Sequence, residues 1–128
     1  MCLLTSKKFP SVSLKPIKVY KVFVKCADGG LYSPYRFKKY DSHGRIVAES
    51  KRITSNKKIF SSECGAVGEG YVFAYTDIEL ARELTAQISR YTDYDTCILE
   101  CNIPIGTLFF VDDCGEICAK KMNIIKEI

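Results

Sequence analysis

Eight cationic side chains stand close together in the first half of the chain and carry its clearest chemical signal. Three aromatic residues, Tyr35, Phe37 and Tyr40, are interleaved with them, and only Asp41 and Glu49 oppose their charge. Cations hold phosphate groups and aromatic rings stack on bases, so this segment is a candidate interface for nucleic acid or another anion. The candidate residues are Arg36, Lys38, Lys39, Arg45, Lys51, Arg52, Lys57 and Lys58.

The net charge is divided along the chain. Residues 1–58 hold 14 Lys and Arg against 3 Asp and Glu, a net charge of +11, whereas residues 59–128 hold 5 against 12, a net charge of −7. This division suggests a basic face for a macromolecular partner, protein or nucleic acid, or opposite charges that pair within one copy or between copies. An ordinary solvated face explains the same residues.

The seven cysteines form neither a catalytic set nor a metal-binding set. Their number is odd, and with no secretion signal in view we expect reduced thiols in a cytoplasmic protein. Cys97 and Cys101 lie about 13 Å apart if they share a strand, too far to share one zinc ion. The single histidine, His43, lies in a polar turn apart from Cys64, the most exposed-looking thiol. We therefore expect buried structural thiols, no metal and no cofactor.

One α+β domain positions these residues. The chain has 128 residues, 47% of them hydrophobic, which suits a single core. Residues 1–17 contain two prolines and no sustained period, which predicts a flexible basic arm before a domain at 18–128. No apolar run is long enough to cross a bilayer, so we expect no membrane partner.

The periodicity of the domain predicts a twisted, largely antiparallel sheet and one main helix. Alternation predicts strands at 18–26, 45–48, 70–76, 96–103, 107–111 and 122–128, with 107–111 turning back on 96–103. On the last strand it places Met122, Ile124 and Lys126 on one face. The helix is predicted at about 77–91, with an apolar stripe from Ile78 to Tyr91. Thr76 and Glu79 have the spacing of a capping box.

Two segments give the chain a resemblance to small uncharacterised proteins. Leu31-Tyr32-Ser33-Pro34-Tyr35 follows the first strand, and Cys101-Asn102-Ile103-Pro104-Ile105-Gly106-Thr107 stands near the end. With the central strand and helix between them, they resemble a group of proteins from gut Bacteroidales and their phages. The resemblance spans most of the chain and implies no known activity.

A second resemblance covers residues 68–110. Gly68-Glu69-Gly70-Tyr71-Val72-Phe73-Ala74 resembles a strand motif of ADP-ribosyltransferases of the diphtheria-toxin and poly-ADP-ribose polymerase type. A helix follows, and residues 103–106 resemble a later segment of that family. The resemblance implies NAD as cofactor, a catalytic carboxylate at Glu127 or else Glu116, and Tyr71 beside the nicotinamide. The family's stacking tyrosine falls on Val72 here, so an inactive relic is equally implied.

These observations lead to two functional hypotheses. The first is a small cytoplasmic binding protein, encoded by a phage, that docks on a host macromolecule or a viral assembly through the basic, aromatic-rich segment. The alternative is an NAD-dependent ADP-ribosyltransferase or its relic.

Overall fold

A computed structural model of the chain describes residues 11–34, 39–40, 45–47, 72–111 and 115–128. These residues form one twisted sheet and one helix, which confirms the predicted α+β class. Every strand pairing in the described part is antiparallel. The strands are β1 (Ser11–Val12), β2 (Ile17–Lys25), β3 (Leu31–Tyr32), β4 (Lys39–Tyr40), β5 (Arg45–Val47), β6 (Val72–Tyr75), β7 (Asp95–Ile103), β8 (Leu108–Val111), β9 (Glu116–Ala119) and β10 (Lys121–Glu127), and helix α1 (Ile78–Tyr91) lies between β6 and β7.

Strand β2 is the centre of the sheet. All nine of its residues pair with β7, and its other edge meets β6 at one end and β3 at the other. The order along the main path is β1-β8-β9-β6-β2-β7-β10-β5, with β4 attached through β3. Because side chains alternate along a strand, those of β2 enter two apolar clusters, one on each face of the sheet.

Helix α1 covers one face, called the helix face below. Ala81, Leu84 and Ile88 are its buried residues, as the predicted stripe requires, whereas Tyr91 at the end of that stripe is 71% exposed. The stripe therefore ends one turn before the helix does. The apolar cluster under the helix contains Val22, Val24, Tyr75, Ala81, Leu84, Ile88 and Ile98.

The predicted capping box is wrong by one residue. The helix is capped by Asp77, whose carboxylate accepts a hydrogen bond from the Glu79 N–H at 2.9 Å. Thr76 is held elsewhere, because its N–H and its hydroxyl both donate to the carbonyl oxygen of Gly115. Glu79 forms an ion pair with Arg82 instead of reaching back along the chain. A contact with the distant turn before β9 thus decides which residue caps the helix.

The opposite side of the sheet, called the second face below, holds the larger cluster. It joins residues of β6 and β9 to residues of β7 and β10, on both sides of β2. Strands β9 and β10 are separated by Lys120 alone, although β6, β2 and β7 lie between them in the sheet. Two steps of chain span about 7 Å, so the sheet must curl to bring these strand ends together.

Lys21 marks the place where the sheet curls. Tyr20 opposite Tyr75 is the single register pair between β2 and β6, and beyond it the strands diverge. The Lys21 ammonium fills the gap and donates a 2.7 Å hydrogen bond to the carbonyl oxygen of Phe73. It also lies 5.4 Å from the centre of the Phe23 ring. Burial lowers the pKa of Lys21 from its ordinary 10.5 to about 8, and nearby Cys101 opposes that shift.

Two predicted strand relationships are corrected. Strand β8 does not turn back on β7; it pairs with β9 on one side and β1 on the other. On β10, the register shifts between Ile124 and Lys126, which leaves Ile125 as the extra residue of a β-bulge. Lys126 then pairs with Glu100 and Glu127 with Leu99. The bulge therefore places Glu127, and not Lys126, on the second face.

The described part of the predicted arm takes part in the sheet. Ser11 and Val12 pair with β8, and Ser13 is buried against the turn before it. The Ser13 hydroxyl donates to the Pro104 carbonyl and accepts from the Thr107 N–H. Residues 1–10 lie outside the described part, as does the segment 48–71.

Candidate functional site

A polar row crosses three strands on the helix face, and its register continues to a fourth strand. Lys18 on β2 stands opposite Asn102 on β7, which stands opposite Asn123 on β10, and the next register position belongs to Arg45 on β5. None of these residues belongs to the apolar cluster under α1. The row is therefore a polar strip beside the helix, composed of groups that bind anions or donate hydrogen bonds.

Two side chains of this strip, those of Lys18 and Asn102, are incompletely paired. Lys18 Nζ lies 4.0 Å from the Glu100 carboxylate, at the limit of an ion pair, and the Lys18 side chain is 66% exposed. The Asn102 Oδ1 atom is buried and accepts no hydrogen bond within the described residues. A buried acceptor without a donor is costly, and because Oδ1 accepts but does not donate, this atom contributes nothing to the binding of an anion.

Only two of the eight predicted anion-binding residues fall in described strands. Lys39 belongs to β4, which pairs with β3, and Arg45 belongs to β5, which pairs with β10. The described strand pairings do not make these two residues neighbours. The other six lie outside the described residues, and they are Arg36, Lys38, Lys51, Arg52, Lys57 and Lys58.

A groove of about 730 Å³ opens on the second face, away from the polar strip. Buried Leu31 and Leu99, together with Ile124, give it an apolar floor, while charged residues stand at its rim. Its volume lies in the range of small-molecule sites. The described residues that line it are Lys25, Cys26, Gly29, Leu31, Asp95, Leu99, Ile124, Ile125, Lys126 and Glu127.

Glu127, the first predicted catalytic carboxylate, lies at the rim of this groove. Its Oε1 atom is 2.9 Å from Lys25 Nζ, and this bond lowers the pKa of Glu127 and raises that of Lys25. The buried Cys97 thiol also hydrogen-bonds the carboxylate, and burial raises the pKa of Cys97 to about 11. Glu127 is thus an ionised carboxylate held in place by an ammonium and a neutral thiol.

The other two predicted catalytic residues are not brought to Glu127. Glu116 lies on β9 opposite Tyr75, on the helix face, with β6, β2 and β7 between it and β10. Glu127 faces the other way, so the two carboxylates belong to opposite faces and opposite parts of the sheet. Tyr71 lies outside the described residues, one position before β6.

The cysteines among the described residues do not form a reactive or metal-binding centre. Cys97 and Cys101 share strand β7 as predicted, and both are buried free thiols. Cys118 on β9 is buried as well. Burial raises the pKa of Cys101 to about 11 as well, which keeps that thiol neutral and unreactive. No group of three or more metal-ligating side chains is found within the described ranges. His43 and Cys64 lie outside them.

Sequence reasoning missed Lys18, Lys25, Asn102 and Asn123 as site residues. The two lysines stand near the ends of a strand whose alternation was recognised, and each asparagine lies between two apolar neighbours inside β7 or β10. Polar residues inside strands are a signal of a functional site. Their alignment, however, depends on the register of β7 with β2, about 80 residues away, and with β10, about 20 residues away. That register was not predictable from local pattern.

Comparison of the chain with protein-family models, with curated proteins and with solved structures finds no match. Within the described residues, no helix has both the length and the apolar character needed to span a membrane.

Proposed function

We propose that this protein is a small cytoplasmic binding protein that docks on an anionic macromolecule, in the first place nucleic acid. The observation that carries the proposal is the polar strip of Lys18, Asn102, Asn123 and the register position of Arg45. Arg45 connects this strip with the basic segment that carries the other cations. A phage origin, as the resemblance to proteins of gut Bacteroidales phages implies, makes that macromolecule one of the host or of the viral assembly.

The charge of the strip supports an anionic partner. Lys18 and Lys126 stand on the helix face with Glu100, whose side chain is 15% exposed, so the cations reach solvent further than the carboxylate does. Lysine and arginine bind phosphates, and asparagine completes such contacts with hydrogen bonds. An aromatic side chain, Tyr20, lies next to the strip opposite Glu100, where it is half-buried and packs against the cluster under α1.

Binding of single- and double-stranded oligonucleotides is expected to weaken steeply with salt. Log affinity should fall with log salt concentration by about 0.9 for each duplex phosphate contacted. The double variant Lys18→Gln with Arg45→Gln should reduce that slope by about 0.9 per lost contact, as measured by fluorescence anisotropy over a salt series.

The control is Arg90→Gln, which removes one positive charge from the last turn of α1. It should bind like the wild type if the strip, and not total charge, makes the contacts. Binding that is insensitive to salt, or equal losses in both variants, would reject a nucleic-acid surface here. Sedimentation of the protein without nucleic acid detects self-association through opposite charges. Saturable binding of an acidic protein, in place of nucleic acid, would show that the partner is a protein.

A second candidate function is NAD-dependent ADP-ribosyl transfer, favoured by the position of Glu127 at the rim of the groove. A carboxylate there can orient a ribose hydroxyl and stabilise a cationic transition state. Its bond to Lys25 already occupies one carboxylate oxygen, so this activity requires that the pair open or share the hydrogen bond.

Incubation with labelled NAD and cell lysate tests this candidate. The expected result is label transfer or nicotinamide release that is lost in Glu127→Gln and kept in Glu116→Gln, because only Glu127 borders the groove. Transfer that survives Glu127→Gln shows that the assignment of the carboxylate is wrong. Absence of transfer, of nicotinamide release and of NAD binding by calorimetry rejects the activity.

A further inference from the structure

An exposed aliphatic patch lies at the end of the sheet where β1 is the outermost strand. Val12 on β1 stands opposite Leu108 on β8, and both side chains are exposed. Phe109, the neighbour of Leu108, packs against the cluster of the second face, so alternation turns Leu108 and Val12 to the other side. Leu14, which is 90% exposed, and Ile105, which is 64% exposed, stand just beyond this pair. These four aliphatic residues are called the edge patch below.

Hydrogen bonds around Ser13 hold the edge patch in one arrangement. The Ser13 N–H donates to the Thr107 carbonyl at 3.0 Å, and the Ser13 carbonyl accepts from the Gly106 N–H at 2.8 Å. Leu14 follows Ser13 and Ile105 precedes Gly106, so these bonds fix both exposed residues at the same end of β1. A partner therefore meets a preformed surface, which reduces the entropic cost of binding.

The outer edge of β1 is open to another strand. Successive residues of an antiparallel strand direct their backbone groups to opposite edges. The N–H and carbonyl of Ser13 bond toward β8, so those of Val12 point away from it. Within the described ranges, β8 is the only strand that pairs with β1. An extended peptide can therefore be added at this edge, with Val12 as donor and acceptor.

The segment that contains β1 is basic, and this charge selects the partner. Lys15 is exposed beside the edge patch and makes no ion pair within the described residues. Lys7 and Lys8 precede β1 in the sequence, which has no acidic residue before Asp28 and none in the turn before β8 or in β8 itself. Lys120, on the far side of β8, already has an interaction of its own. Two copies that paired through β1 would bring like charges together, whereas a peptide with carboxylates is attracted.

We propose that β1 and the edge patch bind an extended acidic peptide segment of a partner protein, which is added to the sheet as a further strand. The peptide backbone bonds to the outward groups of Val12, and its aliphatic side chains lie beside Val12 and Leu14. A carboxylate of the peptide pairs with Lys15. This surface contains none of the residues of the polar strip and is independent of the proposed docking on nucleic acid.

Three end-capped pentapeptides test the proposal: Glu-Val-Glu-Val-Glu, its counterpart Lys-Val-Lys-Val-Lys, and the acidic peptide with all its backbone nitrogens methylated. The acidic peptide is expected to bind about tenfold more tightly than either of the other two, because they lack the carboxylates or the backbone donors. Titrations followed by amide chemical shifts measure the affinities, and shifts at Val12, Leu14 and Leu108 locate the peptide. Equal affinity for the acidic peptide and either of the others would overturn the proposal.

Two pairs of variants separate the assigned contacts from damage to the fold. Lys15→Glu should weaken the acidic peptide about fivefold and strengthen the lysine peptide about fivefold, a reversal that misfolding cannot produce. The control Lys126→Glu makes the same change of net charge at an exposed residue of β10 and should alter neither affinity. Leu14→Asn should also weaken the acidic peptide about fivefold, whereas Ile125→Asn, at an exposed aliphatic residue outside the patch, should not. Equal effects within either pair would contradict the site.

Two other occupants of the edge patch give different results. Sedimentation of the protein alone detects the pairing of two copies, and flotation with phosphatidylserine vesicles detects binding to a lipid surface. If either association occurs, is lost in Leu14→Asn, and is accompanied by no binding of the acidic peptide, the patch belongs to that occupant and the proposal is wrong.

Discussion

Replacing Ile88 with alanine is expected to lower the free energy of unfolding by about 2–5 kcal/mol. Ile88 is fully buried between α1 and the sheet, in the cluster that contains Val22, Val24 and Ile98. Truncation removes buried apolar surface and leaves a cavity between α1 and the sheet. Because domains of this size are stable by about 5–15 kcal/mol, the variant should be close to the limit of folding.

Urea unfolding followed by circular dichroism measures this loss, with Tyr91→Ala as the matched control. Tyr91 lies on the same predicted stripe but is 71% exposed, so its truncation should cost less than about 1 kcal/mol. Equal losses at the two positions would mean that α1 presents a different side to the sheet than the structure describes.

The second large effect is a pH dependence that comes from Lys21. Relative to Lys21→Met, the wild-type protein is expected to gain about 2 kcal/mol of stability between pH 8 and pH 10. Burial lowers the pKa of this ammonium in the folded state to about 8, below its ordinary value of 10.5. The unfolded chain therefore holds the proton more tightly across this window, and stability rises as the pH rises through it.

Urea titrations of both proteins at pH 8 and pH 10 measure the difference. The buried thiols titrate near this range too, and comparison with Lys21→Met removes most of their contribution because both proteins contain them. The exposed Lys15→Met should follow the wild type at both pH values. If the stability of the wild type rises between pH 8 and pH 10 by no more than that of Lys21→Met, the Lys21 ammonium is hydrated and the sheet does not close around it.

Lys21 also links the fold to both candidate sites. By donating to the Phe73 carbonyl it replaces a ladder hydrogen bond at the point where β2 and β6 separate. Without a donor there, a buried carbonyl would remain unpaired, so the side chain stabilises the curl of the sheet. The same strand carries Lys18 to the polar strip and Lys25 to the groove.

The division of charge along the sequence is partly resolved within the molecule. Lys18 and Lys25 come from the basic half, and their ion-pair partners Glu100 and Glu127 come from the acidic half. Pairing within one copy was one of the readings that the charge pattern allowed. It accounts for two lysines of β2, and the eight cations of the basic segment remain the proposed docking residues.

The local sequence pattern was sufficient to predict the main strands and the helix. Alternation from Lys18 to Cys26 predicted β2, and the three- and four-residue steps through Ala81, Leu84 and Ile88 predicted α1, because burial of one face imposes those periods on the sequence. The class of fold followed from these elements. The two cysteines on β7 were likewise correctly expected to share a strand and to be buried.

The tertiary structure alone decided which elements meet and therefore where the sites lie. Strand β8 pairs with β9 and β1 instead of β7, and Asp77 replaces Thr76 as the helix cap because Gly115 engages Thr76. A single extra residue on β10 places Glu127 instead of Lys126 on the second face of the sheet. Side chains alternate with a period of two along a strand, so one bulge reverses every assignment after it, and only the register with a distant strand reveals that it is there.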